Sequence, residues 1–107
     1  TGVRDYIHVC DLAVGHIKAL DQLDQIQGAR AFNLGTGVGY SVLDIVRAFE
    51  KANNLKIPYE IIDRRPGDLT AYFADTTRAY QELGFKTQHS LEDMCRSSWN
   101  FVKHLYQ

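Results

Sequence analysis

Two adjacent arginines lead into a Pro-Gly pair and then a carboxylate at Asp63-Arg64-Arg65-Pro66-Gly67-Asp68, and an aromatic follows at Tyr72. Pro fixes φ and Gly tolerates the left-handed region, so positions 66 and 67 read as a turn that holds its flanking side chains at set angles. Arginine clamps a phosphate through parallel N–H donors. A carboxylate beside it accepts from sugar hydroxyls, and an aromatic can close over the ligand. The stretch reads as an anion site with a hydroxyl-binding neighbour. The same residues would also serve as a solvated surface turn with an Arg–Asp pair.

Other chemistries lack their parts. His8, His16, His89 and His104 are scattered, none at i, i+4 from another His or Cys, so no metal site is expected. There is no G-x-S-x-G, and neither Cys10 nor Cys95 has a catalytic signature. An activated tyrosine for hydride transfer needs a lysine four residues later on a helix face, and none of Tyr6, Tyr40, Tyr59, Tyr72 or Tyr80 has one. No catalytic residue is assigned: the chain holds binding groups without an engine.

Composition narrows the classes further. In 107 residues there is room for one domain, taken as 1–107, with the apolar and charged content of an ordinary globular chain. A net charge of −1 gives no general field for nucleic acid or an anionic membrane, so an anion site must be local. Two cysteines 85 positions apart, without a CxxC pair, suggest reduced thiols of a cytoplasmic protein. No apolar run approaches a membrane span. The opening Thr1-Gly2-Val3 lacks a methionine and runs straight into strand-like sequence, which suggests a fragment or isolated lobe.

The elements that must position these groups follow from periodicity. Residues 3–9 alternate, which predicts a strand with Arg4, Tyr6 and His8 on one face and Asp5 breaking the apolar one. Arg4 and Tyr6 could then reach one ligand, while His8 is read as an exposed strand position. Asp11 is expected to cap a helix whose stripe is Leu12, Ala13, His16, Ile17, Leu20 and Leu23. A strand at 31–34 and the Gly35-Thr36-Gly37-Val38-Gly39 run lead to a helix from Ser41, with Asp44 completing a capping-box variant. A strand is expected at 57–62, and residues 72–74 are extended. Asp75 or Thr76 caps a short helix closed by Gly84, and Ser90 with Asp93 starts the last one. The glycine run tempts one toward a dinucleotide fingerprint, but the third small residue falls where Tyr40 stands. A sharp strand-to-helix turn is the preferred reading. A second is a stand-alone, non-catalytic nucleotide- or anion-binding module using that turn. The element order favours an α/β arrangement, a small mixed, partly parallel sheet with four helices.

Three blocks in order carry a family resemblance. They are Thr1-Gly2-Val3-Arg4-Asp5-Tyr6-Ile7-His8-Val9 with Asp11-Leu12-Ala13, Phe32-Asn33-Leu34-Gly35-Thr36-Gly37 with Ser41-Val42, and Arg64-Arg65-Pro66-Gly67-Asp68 with Ala71-Tyr72 and Leu83-Gly84-Phe85. Together they resemble the C-terminal part of UDP-glucose 4-epimerases, isomerases of the extended short-chain dehydrogenase/reductase family. The resemblance implies NAD-dependent interconversion of UDP-galactose and UDP-glucose by a protein, expected to be a homodimer, whose NAD-binding Rossmann domain is absent from this chain. It implies that Arg4 and Arg65 hold the diphosphate, that Asp68 takes ribose hydroxyls, that Tyr72 borders the hexose, and that Tyr6 lies near the phosphates. The strand at 31–34 would join the Rossmann sheet and here stand as an open edge. The chain alone is expected to be inactive.

Overall fold

The computed structural model describes residues 2–63, 66–67 and 69–106. Its sheet is short and mixed. Strands β1 (Val3–Arg4), β2 (Tyr40–Ser41) and β3 (Ala71–Tyr72) lie in the order β2-β1-β3, with β2 antiparallel and β3 parallel to the central strand. Val3 pairs with Ser41 and Ala71, and Arg4 pairs with Tyr40 and Tyr72. The Val3 amide donates to Thr70 O at 2.9 Å, extending the parallel edge.

Around the sheet lie helices α1 (Val9–Asp21), α2 (Val42–Asn53) and α3 (Leu91–Leu105), a 3-10 turn at Leu23–Gln25 and a π-helical segment at Ala79–Leu83. Both capping boxes form. The Ser41 hydroxyl accepts from Asp44 N while Asp44 accepts from Ser41 N, and Ser90 and Asp93 do the same for α3. Asn54 ends α2 in the left-handed conformation at φ 52°, and Gly84 closes the π segment at φ 66°. Helices α2 and α3 pack edge to face through Phe49 and Trp99, whose ring centroids are 6.0 Å apart. Asn53 Nδ2 donates to Cys95 O at 3.2 Å across the same seam.

The strand expected at 3–9 stops at Arg4, because His8 caps α1: its Nδ1 accepts from Cys10 N at 3.0 Å. His8 is therefore buried, not an exposed strand position, with its ring stacked on His89 at 4.3 Å and Nε2 3.0 Å from Ser97 Oγ. Asp11 lies inside the first turn of α1 and does not cap it. Only 3% exposed, it accepts from the amides of Gln88 and His89, both at 3.0 Å, and fixes the approach to α3. The α1 stripe was expected to be buried, but Ile17, Leu20 and Leu23 are 57–67% exposed. The helix instead turns Asp11 and Gly15 inward. Among the described residues, segments 31–34 and 57–62 form no ladder, because no described strand lies beside them to accept their hydrogen bonds.

The buried apolar set is small: Ala79, Leu83, Phe85 and Cys95, with Ile7, Ala19, Phe32 and Leu34 packed against its aliphatic and aromatic part. The radius of gyration is 16.5 Å and the extents are 49 × 37 × 19 Å, whereas a compact domain of this length has a radius of about 13 Å. The body is a slab, and Ile61 and Ile62 are each at least 72% exposed. Both thiols are free, Cys10 exposed and Cys95 buried. No described helix is long and apolar enough to cross a membrane.

Gly35 is required by close approach. A Cβ there would sit 2.7 Å from Asp5 Oδ2 and 2.9 Å from Ala74 Cβ, both fixed by the backbone they belong to or bond. Gly35→Ala should therefore lower stability by about 1–3 kcal/mol, read by urea unfolding of the full-length protein.

Candidate functional site

Directly paired residues in neighbouring strands project to the same face of a sheet. The register therefore sets Arg4 between Tyr40 and Tyr72 on one face, and Val3 between Ser41 and Ala71 on the other. Arg4 and Tyr40 are half-buried and Tyr72 is 64% exposed. The Arg4 Nη1 donates to Val3 O at 2.8 Å and to Leu69 O at 3.1 Å. The guanidinium thus lies against the chain just beyond the Arg-Arg-Pro-Gly-Asp stretch. Tyr6, two residues past the ladder, is half-buried. Two of the expected binding residues, Arg65 and Asp68, lie outside the described residues. Of the five expected, the structure brings together Arg4 and Tyr72.

The residue that assembles this region is Asp5, which sequence reasoning passed over. Its Oδ1 accepts from Thr36 N at 3.0 Å and Thr36 Oγ1 at 2.7 Å. Its Oδ2 accepts from Gly37 N at 2.9 Å and Ala74 N at 3.2 Å. The signal was present, since Asp5 is the one charge on the otherwise apolar parity of 3–9. These contacts also decide the chemistry of the 35–39 turn. Successive amides in such a turn make an anion nest, and here the nest already holds a carboxylate of the same chain. A phosphate has no place on Thr36 N and Gly37 N, which removes the physical basis for the stand-alone anion module. The turn leads into β2 before α2, so it is not a direct strand-to-helix turn.

Burial pushes the Asp5 carboxyl up, but its hydrogen bonds to Thr36, Gly37 and Ala74 outweigh that and hold it below the usual carboxylate value. Asp11 behaves alike: burial raises it, and its bonds to Gln88 and His89 pull it lower overall. Clefts elsewhere are of other character. One of about 360 Å³ is lined by Ala31, Asn33, Asp75, Arg78 and Glu82, beside the Arg30–Glu82 ion pair. Another of about 360 Å³ lies between Ile7, Val9, Met94 and Phe101. Among the described residues no group of three His, Cys, Asp or Glu side chains is placed to hold a metal ion.

The family model described as GDP-mannose 4,6 dehydratase matches residues 1–98. The chain belongs to that family. Within this dehydratase family its similarity is to epimerases. It is 55% identical over 101 residues to the UDP-glucose 4-epimerase of Bacillus subtilis, covering 94% of the chain and 30% of that protein. The Mus musculus UDP-glucose 4-epimerase is 52% identical over 103 residues, again with 30% of its length covered. The chain thus spans about 30% of the length of these relatives. A UDP-glucose 4-epimerase from Bifidobacterium longum, solved with NAD+ and UDP, superposes with a TM-score of 0.88 at 50% identity, covering 97% of this chain and 31% of that one. One from Stenotrophomonas maltophila, with NAD and formylated UDP-arabinopyranose, gives 0.94 at 45%, covering 99% and 32%.

Acid should expose the role of Asp5. Its folded pKa is depressed, so its contribution is complete above the unfolded value near 3.8 and is lost as pH falls through the lower folded value. Urea unfolding of the full-length protein between pH 7 and pH 2 should show stability falling below about pH 4. Asp5→Ala should cost about 2–4 kcal/mol at pH 7, because Thr36, Gly37 and Ala74 lose their acceptor, and should flatten that acid limb.

Proposed function

We infer that the chain is the UDP-sugar-binding C-terminal lobe of an NAD-dependent UDP-glucose 4-epimerase. The whole protein interconverts UDP-galactose and UDP-glucose in cytoplasmic galactose metabolism and acts as a homodimer. The observation that carries the reading is the register that sets Arg4 beside Tyr72 on one face, with the Arg4 guanidinium donating to Leu69 O. The similarity to epimerases solved with NAD and uridine nucleotides supports it.

In this reading Arg4 and Arg65 hold the diphosphate from segments some sixty residues apart, and Asp68 accepts from the ribose hydroxyls. Tyr72 borders the hexose, and Tyr6 stands near the phosphates. Each arginine contributes on the order of 1.5–3 kcal/mol as a charged donor. The residues of this chain do not fit a dinucleotide, because Asp5 fills the glycine turn. NAD is then held by a Rossmann domain in the remaining two-thirds of the protein. That domain also packs on the exposed face of α1 and takes segment 31–34 into its sheet. By itself the chain is inactive.

In the full-length protein, Arg65→Ala should weaken UDP-glucose binding by roughly one to two powers of ten, measured by calorimetry. Unchanged affinity would remove the arginine loop from the site. Tyr72→Cys should admit UDP-N-acetylglucosamine as a substrate in a coupled epimerase assay. Selectivity identical to the wild type would place Tyr72 outside the hexose pocket.

A further inference from the structure

We propose that His8 and His89 form an acid-sensitive latch between α1 and α3, in which one ring must stay neutral while the other carries the proton. His8 caps α1: its Nδ1 accepts from Cys10 N at 3.0 Å, and an imidazole nitrogen accepts only while it is bare. The ring proton is therefore on Nε2, which donates to Ser97 Oγ on α3 at 3.0 Å. A second proton, on Nδ1, would break the cap and set a cation at the positive end of the helix dipole. It would also find no counter-charge. His8 is 8% exposed, and the cleft beside it is lined by Ile7, Val9, Met94, Ser97, Ser98 and Phe101, none of them charged.

His89 stands in the opposite surroundings. Its side chain is 39% exposed, and its Nδ1 donates to Asp11 Oδ1 at 3.1 Å, a bond that survives in either charge state. Asp93, in the first turn of α3 and paired with Arg96, also feels the charge of His89. The Asp11 carboxylate is spoken for by that ring and by the amides of Gln88 and His89, so it makes no bond to His8. The two rings stack with centroids 4.3 Å apart, so a charge on His89 opposes a second one on His8. Histidine ordinarily charges near pH 6.5. Below that, His89 takes the first proton with the latch closed, and the second, on His8, opens it. A frayed α1 puts no such bar on His8, so acid favours the open form: the cap's protection is complete above about pH 6.5 and is lost as pH falls below it.

The test uses the full-length protein and reads hydrogen exchange, corrected for intrinsic rate, at the Cys10 and Leu12 amides, which donate to His8 Nδ1 and His8 O. Protection of both should fall about fivefold from about pH 7.5 to 5.0, the scale of one lost N-cap. The Asp44 amide, capped by the Ser41 hydroxyl, should keep its protection. His8→Asn, which caps without titrating, should hold Cys10 and Leu12 constant over the same range. His89→Phe keeps a ring against His8 without a charge and should move the loss to higher pH. Flat protection in the wild type, an equal fall in His8→Asn, or a loss at unchanged pH in His89→Phe overturns the inference. Where a variant folds poorly, the imidazole NMR signals of the wild type decide: His89 protonating before His8 supports the latch, and the reverse order overturns it.

Discussion

One carboxylate holds the site together. Asp5 gathers donors from Thr36, Gly37 and Ala74, residues 31 to 69 positions away, onto the end of the central strand. Strands of two residues cannot supply this by themselves, since each pair offers only a few ladder hydrogen bonds. Because Asp5 fixes the 35–39 turn, β2 arrives in register with Arg4, and because it fixes Ala74, β3 does the same on the other side. The juxtaposition of Tyr40, Arg4 and Tyr72 is thus a product of a carboxylate whose own hydrogen bonds go to Thr36, Gly37 and Ala74.

Asp11 repeats the device six residues on. Buried in the first turn of α1, it takes the amides of Gln88 and His89 and so sets the start of α3 against the start of α1. His89 Nδ1 lies 3.1 Å from the same carboxylate, and its ring stacks on His8, which caps α1 and contacts Ser97. Polar side chains buried with full hydrogen bonding specify one arrangement where an apolar contact would tolerate several. With an apolar core as small as this one, much of the topology rests on these two aspartates.

The same facts explain which parts were legible in the residue pattern. The capping boxes at Ser41 and Ser90 and the breaks at Asn54 and Gly84 depend on neighbours within four residues, so the order of helices could be read directly. The arginine at position 4 and the aromatic at 72 were singled out by type, and their shared face needs only the parity of β1 and the pairing of β3. What failed depended on partners far along the chain or outside it. Asp11 looked like a cap because its true acceptor role lies at 88–89, 77 residues on. Segments 31–34 and 57–62 have strand composition but no strand beside them among the described residues, and the α1 stripe has the right period while Ile17, Leu20 and Leu23 stay exposed. In each case the local pattern was sound and the missing term was a tertiary one.

The slab shape has a thermodynamic consequence. At 19 Å, the thinnest dimension barely accommodates a helix against a sheet, and the buried apolar set is correspondingly small. Cooperativity in a small domain comes from a shared interior whose members are lost together, and this body has little interior to share. The shape itself therefore predicts a broad transition: taken alone, a slab of this kind melts gradually rather than all at once.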